Sequence, residues 1–187
     1  MFFSQKISRG LGEKCSIILY SDKSKIFEFQ DKKIVFDPND FTDINVINNL
    51  NSQLIDPPGL SQDKTLFSPA IKELEKRIKM YSNENPNPIL VLFLTDGKPE
   101  PRKLDPREKI EKNLQKLMNS AKKLKKQLVI FTLGIGRKIQ VDNELLERIA
   151  KIGRGEYHFT KDFEELTNWF ENLANEFSIN LRKVNGG

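Results

Sequence analysis

The chain has 187 residues, enough for one domain with a sizeable core, and 37% hydrophobic with 30% charged residues is the balance of an ordinary soluble protein. A single cysteine, Cys15, excludes an intrachain disulfide and a cysteine cluster for zinc, and a single histidine, His158, excludes a histidine-based metal set. The net charge of +5 is a mild excess that by itself names no partner.

The chain opens "MFFSQKISRG". Ser4, Gln5, Lys6 and Arg9 follow the apolar start at once, so neither a signal peptide nor a membrane span is read there, and a cytoplasmic location is expected. "CSIILY", Cys15 to Tyr20, reads as a strand entering the turn "SDKS", with Cys15 as a core thiol. "KIFEFQ" and "KIVFDP" predict an antiparallel edge over residues 26 to 36, ended by Pro38. Phe41, Ile44, Ile47 and Leu50 recur at threes and predict a short helix. "DPPGLSQDKT" is a loop.

From Thr65 the period is helical. Leu66, Ala70, Leu74, Ile78 and Tyr81 predict a helix capped by Ser68, with Pro69 at its first position. Ile89 to Leu94 is an unbroken apolar run without alternation, which predicts a strand covered on both faces. It ends in Thr95-Asp96-Gly97.

Next, "DPREK" predicts a helix start with Asp105 as N-cap, Pro106 at N1 and Glu108 closing a capping box. Ile110, Leu114, Leu117, Ala121 and Leu124 give that helix its apolar stripe. Arg102 to Lys126 holds ten basic and three acidic residues, a net of +7. No aromatic residues are interleaved for base stacking, so a solvated helix face outweighs nucleic-acid or acidic-lipid binding.

"LVIFTLGIG" predicts another buried strand. Asp142 caps the following helix, "NELLERIAKI", and Gly153 stops it. "EYHF" is a last short strand, with His158 a surface or strand-end residue in it. Phe163, Leu166, Trp169, Phe170, Leu173 and Phe177 form the core-facing stripe of a terminal helix. The terminal "NGG" reads as a frayed end. The alternation predicts an α/β fold: an open, mostly parallel, Rossmann-like sheet flanked by helices on both faces, with an antiparallel edge.

In such sheets ligands bind beyond the carboxyl ends of strands, where Asp96 lies. Thr65 sits in the loop entering the preceding helix and could reach the same crevice. A carboxylate and a hydroxyl suit Mg²⁺, a hard cation that keeps several waters. No Gly-rich loop with Lys-Ser or Lys-Thr supports a nucleotide site, and no base is positioned for Ser68 or Ser120. No carboxylate pair has the spacing for acid–base work. These absences set an enzyme aside.

Taken in order, "CSIILYSDKSKIFEF", "DKTLFSPAIKEL", "LVLFLTDG", "LVIFTLGIG" and "DNELLERIAKIGRGEYHFT" resemble the von Willebrand factor type A (vWA) domain. The resemblance covers about residues 11 to 177 of a single domain spanning 1 to 187, with 1 to 10 as a remnant of the first helix and 178 to 187 as a tail. It implies a protein–protein binding module. In that family a metal-ion-dependent adhesion site combines an Asp-x-Ser-x-Ser motif after the first strand, a threonine in a second loop and the aspartate of Thr-Asp-Gly. The resemblance implies Thr65 and Asp96 as the last two.

The first motif and its strand have no counterpart here. Asp22 and Ser24 read as turn residues, and with Asp63 they are the residues to search for substitute ligands. Weak or absent Mg²⁺ binding by this chain alone is therefore expected. Three accounts stay open: a truncated domain that starts inside the first helix, a strand supplied by a partner or separate segment, or a rearranged sheet whose flanking strands pair directly. The alternative functions are metal-independent scaffolding by the same fold and nucleic-acid binding through the basic helix 102–126.

Overall fold

A computed structural model of the protein describes residues 14–30, 32–61, 63–81, 88–162 and 164–173. In order the elements are β1 (Ile18–Tyr20), β2 (Ser24–Ile26), a 3-10 helix (Pro38–Thr42), α1 (Ile44–Ile55), α2 (Phe67–Tyr81), β3 (Ile89–Thr95), α3 (Arg107–Lys123), β4 (Leu128–Ile135), α4 (Asn143–Ile152) and β5 (Arg154–Thr160). Residues 164–173 are also helical. The expected stretches 1–10 and 178–187, with Phe163 and Phe177, lie outside the described residues. The chain divides into two compact units, one made of Ile18–Lys25 with Gly59–Lys161, the other of Ile26–Pro58 with the segments up to Ile17 and from Asp162.

The larger unit holds a parallel sheet in the order β3-β4-β5. Ile89 pairs with Leu128 and Thr95 with Gly134 at the two ends of the β3–β4 ladder. Neither strand alternates in polarity, as befits strands covered on both faces, and helices flank the sheet on both faces as the sequence predicts. Ile110, Leu114, Leu117 and Ala121 of α3 lie three to four residues apart and are all buried. They share one core with Phe67, Ile71 and Ile78 of α2, Leu128 and Ile130 of β4, and Leu145, Leu146 and Ile149 of α4. Each leucine, isoleucine and phenylalanine among them contributes about 1.5–3 kcal/mol by leaving water.

Gly153 and Gly155 do more than stop a helix. Gly153 is the C-cap of α4, its N–H donating to the Ile149 carbonyl, but its φ of −75° is one any residue adopts. Their lack of a side chain is what matters, because a Cβ on Gly153 would lie 2.4 Å from Ile130 Cβ and one on Gly155 2.3 Å from the Ile130 carbonyl oxygen. β5 approaches β4 closely only because both positions are bare.

Two expected caps are corrected. Asp105 does not cap α3, whose N-cap is Pro106 with no side-chain hydrogen bond. Its buried carboxylate turns instead to α2, where Oδ2 accepts from the N–H groups of Phe67 at 2.7 Å and Ser68 at 2.8 Å. Ser68 is therefore not the α2 cap but lies inside the first turn, its hydroxyl accepting from Asn113 at 2.9 Å. A charged acceptor reaching across the fold outcompetes a local serine hydroxyl for the same orphan donors.

The antiparallel edge expected over residues 26–36 is also redrawn. The hairpin is β1–β2, a separate two-stranded sheet that lies earlier in the chain. Ile26 closes β2, and beyond it the described residues up to 36 form isolated antiparallel bridges, Phe29 to Lys33 and Phe36 to Cys15. Lys32 takes φ +62°, which closes a tight turn after one bridge, and the chain then enters the 3-10 helix at Pro38. Asp37 and Asp40 form that helix's capping box.

The smaller unit has its own core of Phe27, Phe36 and Val46, joined by Ile17, Phe29, Phe41 and Leu50. Cys15 belongs to this unit, and burial pushes its thiol up to about 12, which disfavours the thiolate.

Candidate functional site

β3 delivers Asp96. Its apolar run ends in the buried Thr95, whose hydroxyl accepts from the Gly97 N–H and donates to the Gly97 carbonyl, both at 3.2 Å. That turn carries the chain out of the core, and Asp96 stands exposed at its tip. The carboxylate thus avoids the desolvation cost that the preceding strand would otherwise impose.

Thr65 is held nearby. Its N–H donates to the Glu100 carbonyl at 2.9 Å and its carbonyl accepts from the Glu100 N–H at 2.8 Å, which clips the loop before α2 to the loop after β3. A Cβ on Gly97 would lie 3.8 Å from Thr65 Oγ1, so the threonine hydroxyl faces the residue that follows Asp96.

Asp22 and Ser24 lie in the β1–β2 turn and at the start of β2. Asp22 Oδ1 accepts from the Ser61 N–H at 2.9 Å and from the Ser21 hydroxyl at 3.2 Å. The Ser61 bond, against some burial and with help from Ser21, Lys23 and Lys64, holds this carboxyl below the usual carboxylate range. Ser21 also donates through its hydroxyl to the Ser61 carbonyl, and its own carbonyl accepts from Leu66 N–H at 2.8 Å. Asp22 thus fastens the hairpin turn to the loop ahead of α2. Asp63 is exposed on that loop.

Tyr20 is the residue the sequence did not single out. Its phenol donates to the Leu94 carbonyl at 2.7 Å, and its ring packs 5.3 Å from Phe93 and edge-on to Phe67 at 6.0 Å. Burial raises its pKa well above the ordinary tyrosine value, with a hydrogen bond to Thr95 acting downward and the Asp96 charge acting upward. Its only sequence signal was its place at the end of "CSIILY".

The hydrogen bond to Leu94 marks an open edge. The Ile89 N–H donates to Gln127 at 2.8 Å, so Ile89, Val91, Phe93 and Thr95 turn their backbone groups toward β4. Leu90, Leu92 and Leu94 turn theirs the other way. Among the described residues no strand pairs there: β1 and β3 belong to separate sheets, so the direct pairing of a rearranged sheet is not what the structure shows. A tyrosine side chain reaches across where a neighbouring strand would stand about 4.8 Å away.

Among the described residues no group of three or more His, Cys, Asp or Glu is placed to hold a metal ion. Thr65 and Asp96 offer one hydroxyl and one carboxylate, while Asp22 is committed to Ser61 and Asp105 to α2. Mg²⁺ held there would complete its six oxygens with waters. Several cations of the 102–126 run are occupied too. Arg107 binds Asp142 at 2.7 Å and Glu144 at 2.8 Å, and Lys116 lies 3.7 Å from Glu75.

No protein-family model and no curated protein matches the sequence. Among solved structures the chain is similar to a von Willebrand factor type A protein from Catenulispora acidiphila, at 13% identity and a TM-score of 0.61, over 87% of this chain and 33% of that one. The fold is vWA-like. The chain spans about a third of the length of that relative, and the likeness concerns the fold alone. Among the described residues of this vWA-like fold no helix is long and apolar enough to cross a membrane.

Proposed function

We propose that the chain is a protein-binding module of vWA type, not a catalyst, with an incomplete metal-ion-dependent adhesion site at the carboxyl end of β3. The observation that carries this reading is the exposed Asp96 beside the clipped Thr65 loop, in a vWA-like fold and, among the described residues, without further acidic ligands gathered around it. Thr65 and Asp96 are the residual ligands of that site, and Mg²⁺ binding by the chain alone is weak or absent. A cytoplasmic location agrees with the sequence reading.

The open edge of β3 supports a second reading. Leu90 and Leu92 present backbone donors and acceptors to any extended segment, so a strand supplied by a partner or by a separate segment would complete the sheet.

A pull-down with the chain as bait tests the reading, repeated with chelator, at high salt and with Asp96→Ala. Capture weakened by Asp96→Ala supports recognition at this end, and additional loss with chelator would bring the metal into it. Capture that survives both leaves metal-independent scaffolding. Capture lost only at high salt points to nucleic acid on the basic helix.

A further inference from the structure

We infer that the groove between the β1–β2 turn and the first turns of α2 docks an acidic, extended segment of a partner protein. The groove has a cavity volume of about 480 Å³, within the usual range for binding clefts. Four lysines line it: Lys23 from the hairpin turn, Lys72 and Lys76 from α2, and Lys109 from α3. Leu66 and Pro69 add an apolar strip.

The charges there are unevenly used. Two carboxylates share the lining, but Asp22 is spent on Ser61 and Ser21, and Glu73 holds Arg77 at 2.9 Å. Lys76 reaches Glu73 only at 4.0 Å with 66% of its side chain exposed, while Lys109 is committed, 3.6 Å from Asp105 and donating to the Leu104 carbonyl at 2.5 Å. Lys23 and Lys72 are exposed and in no ion pair among the described residues. Outside the groove, Glu75 holds Lys79 at 2.7 Å and lies 3.7 Å from Lys116. The groove is therefore a patch of lysines with an apolar strip beside it.

That distribution favours a peptide over nucleic acid. Among the described residues no aromatic ring lines the groove for a base to stack on. Spaced Asp or Glu side chains can meet individual lysines, while intervening apolar side chains rest on Leu66 and Pro69.

The inference does not depend on metal at Thr65 and Asp96. The test is fluorescence anisotropy at low ionic strength with a labelled ten-residue peptide alternating Glu and Ala, its Gln counterpart, and a single-stranded oligonucleotide of matched charge. Lys72→Glu with Lys76→Glu alters two exposed groove residues. Lys122→Glu with Lys123→Glu makes the same charge change at the far end of α3. We expect the Glu peptide to bind better than the Gln peptide and the groove variant to weaken it about tenfold, against less than about twofold for the distal variant. Equal losses in the two variants, absence of Glu-peptide binding, or tighter oligonucleotide binding that the groove variant removes would each overturn the inference. Unchanged circular dichroism of both variants keeps a folding defect out of the comparison.

Discussion

Tyr20 donates its phenol hydrogen to the carbonyl of Leu94, and through that bond the β1–β2 hairpin is fastened to the open edge of β3. Tyr20→Phe keeps the ring contacts with Phe93 and Phe67 but leaves the carbonyl without its donor. The expected cost is about 0.5–1.5 kcal/mol in denaturant unfolding, with an unchanged far-ultraviolet spectrum. No measurable loss would mean that water replaces the phenol freely and that the hairpin is held by packing alone.

The same residue sets a pH dependence. Burial, with the Asp96 charge, lifts the Tyr20 pKa above its ordinary 10.0. A raised folded-state pKa gives stability that is fully present below the ordinary value and is lost as pH rises through the folded one. Unfolding midpoints should therefore fall above pH 10, and less steeply in Tyr20→Phe. Parallel curves for the two proteins would remove Tyr20 as the cause.

Glu75 works at the other end of the scale. Burial pushes its pKa upward, but hydrogen bonds from Lys79 and Ser120 and the Lys79 and Lys116 charges prevail and bring it below the ordinary 4.5. The linked stability is present above that value and is lost as pH falls through the lowered one. Glu75→Gln should flatten the acid limb of the stability profile, and an unaltered limb would count against this assignment.

Asp105 and Glu108 separate cross-fold from local capping. Asp105→Ala removes two charge-assisted bonds from the buried start of α2 and should cost about 2–3 kcal/mol. Glu108→Ala should stay within about 0.5 kcal/mol, because α3 has no side-chain cap for it to complete. The reverse order in thermal melts would restore the local capping box.

Titration of Mg²⁺ into the chain, with Asp96→Asn as the control, checks the metal site. The expected result is the same weak or absent heat for both proteins and no change in melting temperature on substitution, since Asp96 is exposed. Tight binding that vanishes in Asp96→Asn would require further ligands, sought first at Asp22, Ser24 and Asp63.

Local patterns were legible in the sequence, and cross-fold partnerships were not. The unbroken apolar runs at Ile89 and Leu128 foretold buried parallel strands, and the stripe from Ile110 to Ala121 foretold the inner face of α3, because each signal lies within one element. Asp105 misled because its own neighbourhood spells a helix cap, while its partners are 38 and 37 positions away. Tyr20 lies 74 positions from Leu94, and nothing in "CSIILY" could name that carbonyl. Asp96 was legible from its place at the carboxyl end of a strand and Thr65 from its loop, with the resemblance adding their roles, but the Thr65–Glu100 clip is a backbone pairing that carries no side-chain signature.

The one-sided pairing of β3 also fixes how its amides trade hydrogen with solvent. Ile89, Val91 and Phe93 give theirs to β4, so their exchange waits on an opening of the sheet, whereas Leu90 and Leu92 point theirs to the edge that no described strand covers. In deuterated buffer the strand should lose its signals in two interleaved sets, the even-numbered leucines first. A bound strand would slow that early set and leave the other unchanged, so two amides report on whether the edge is in use.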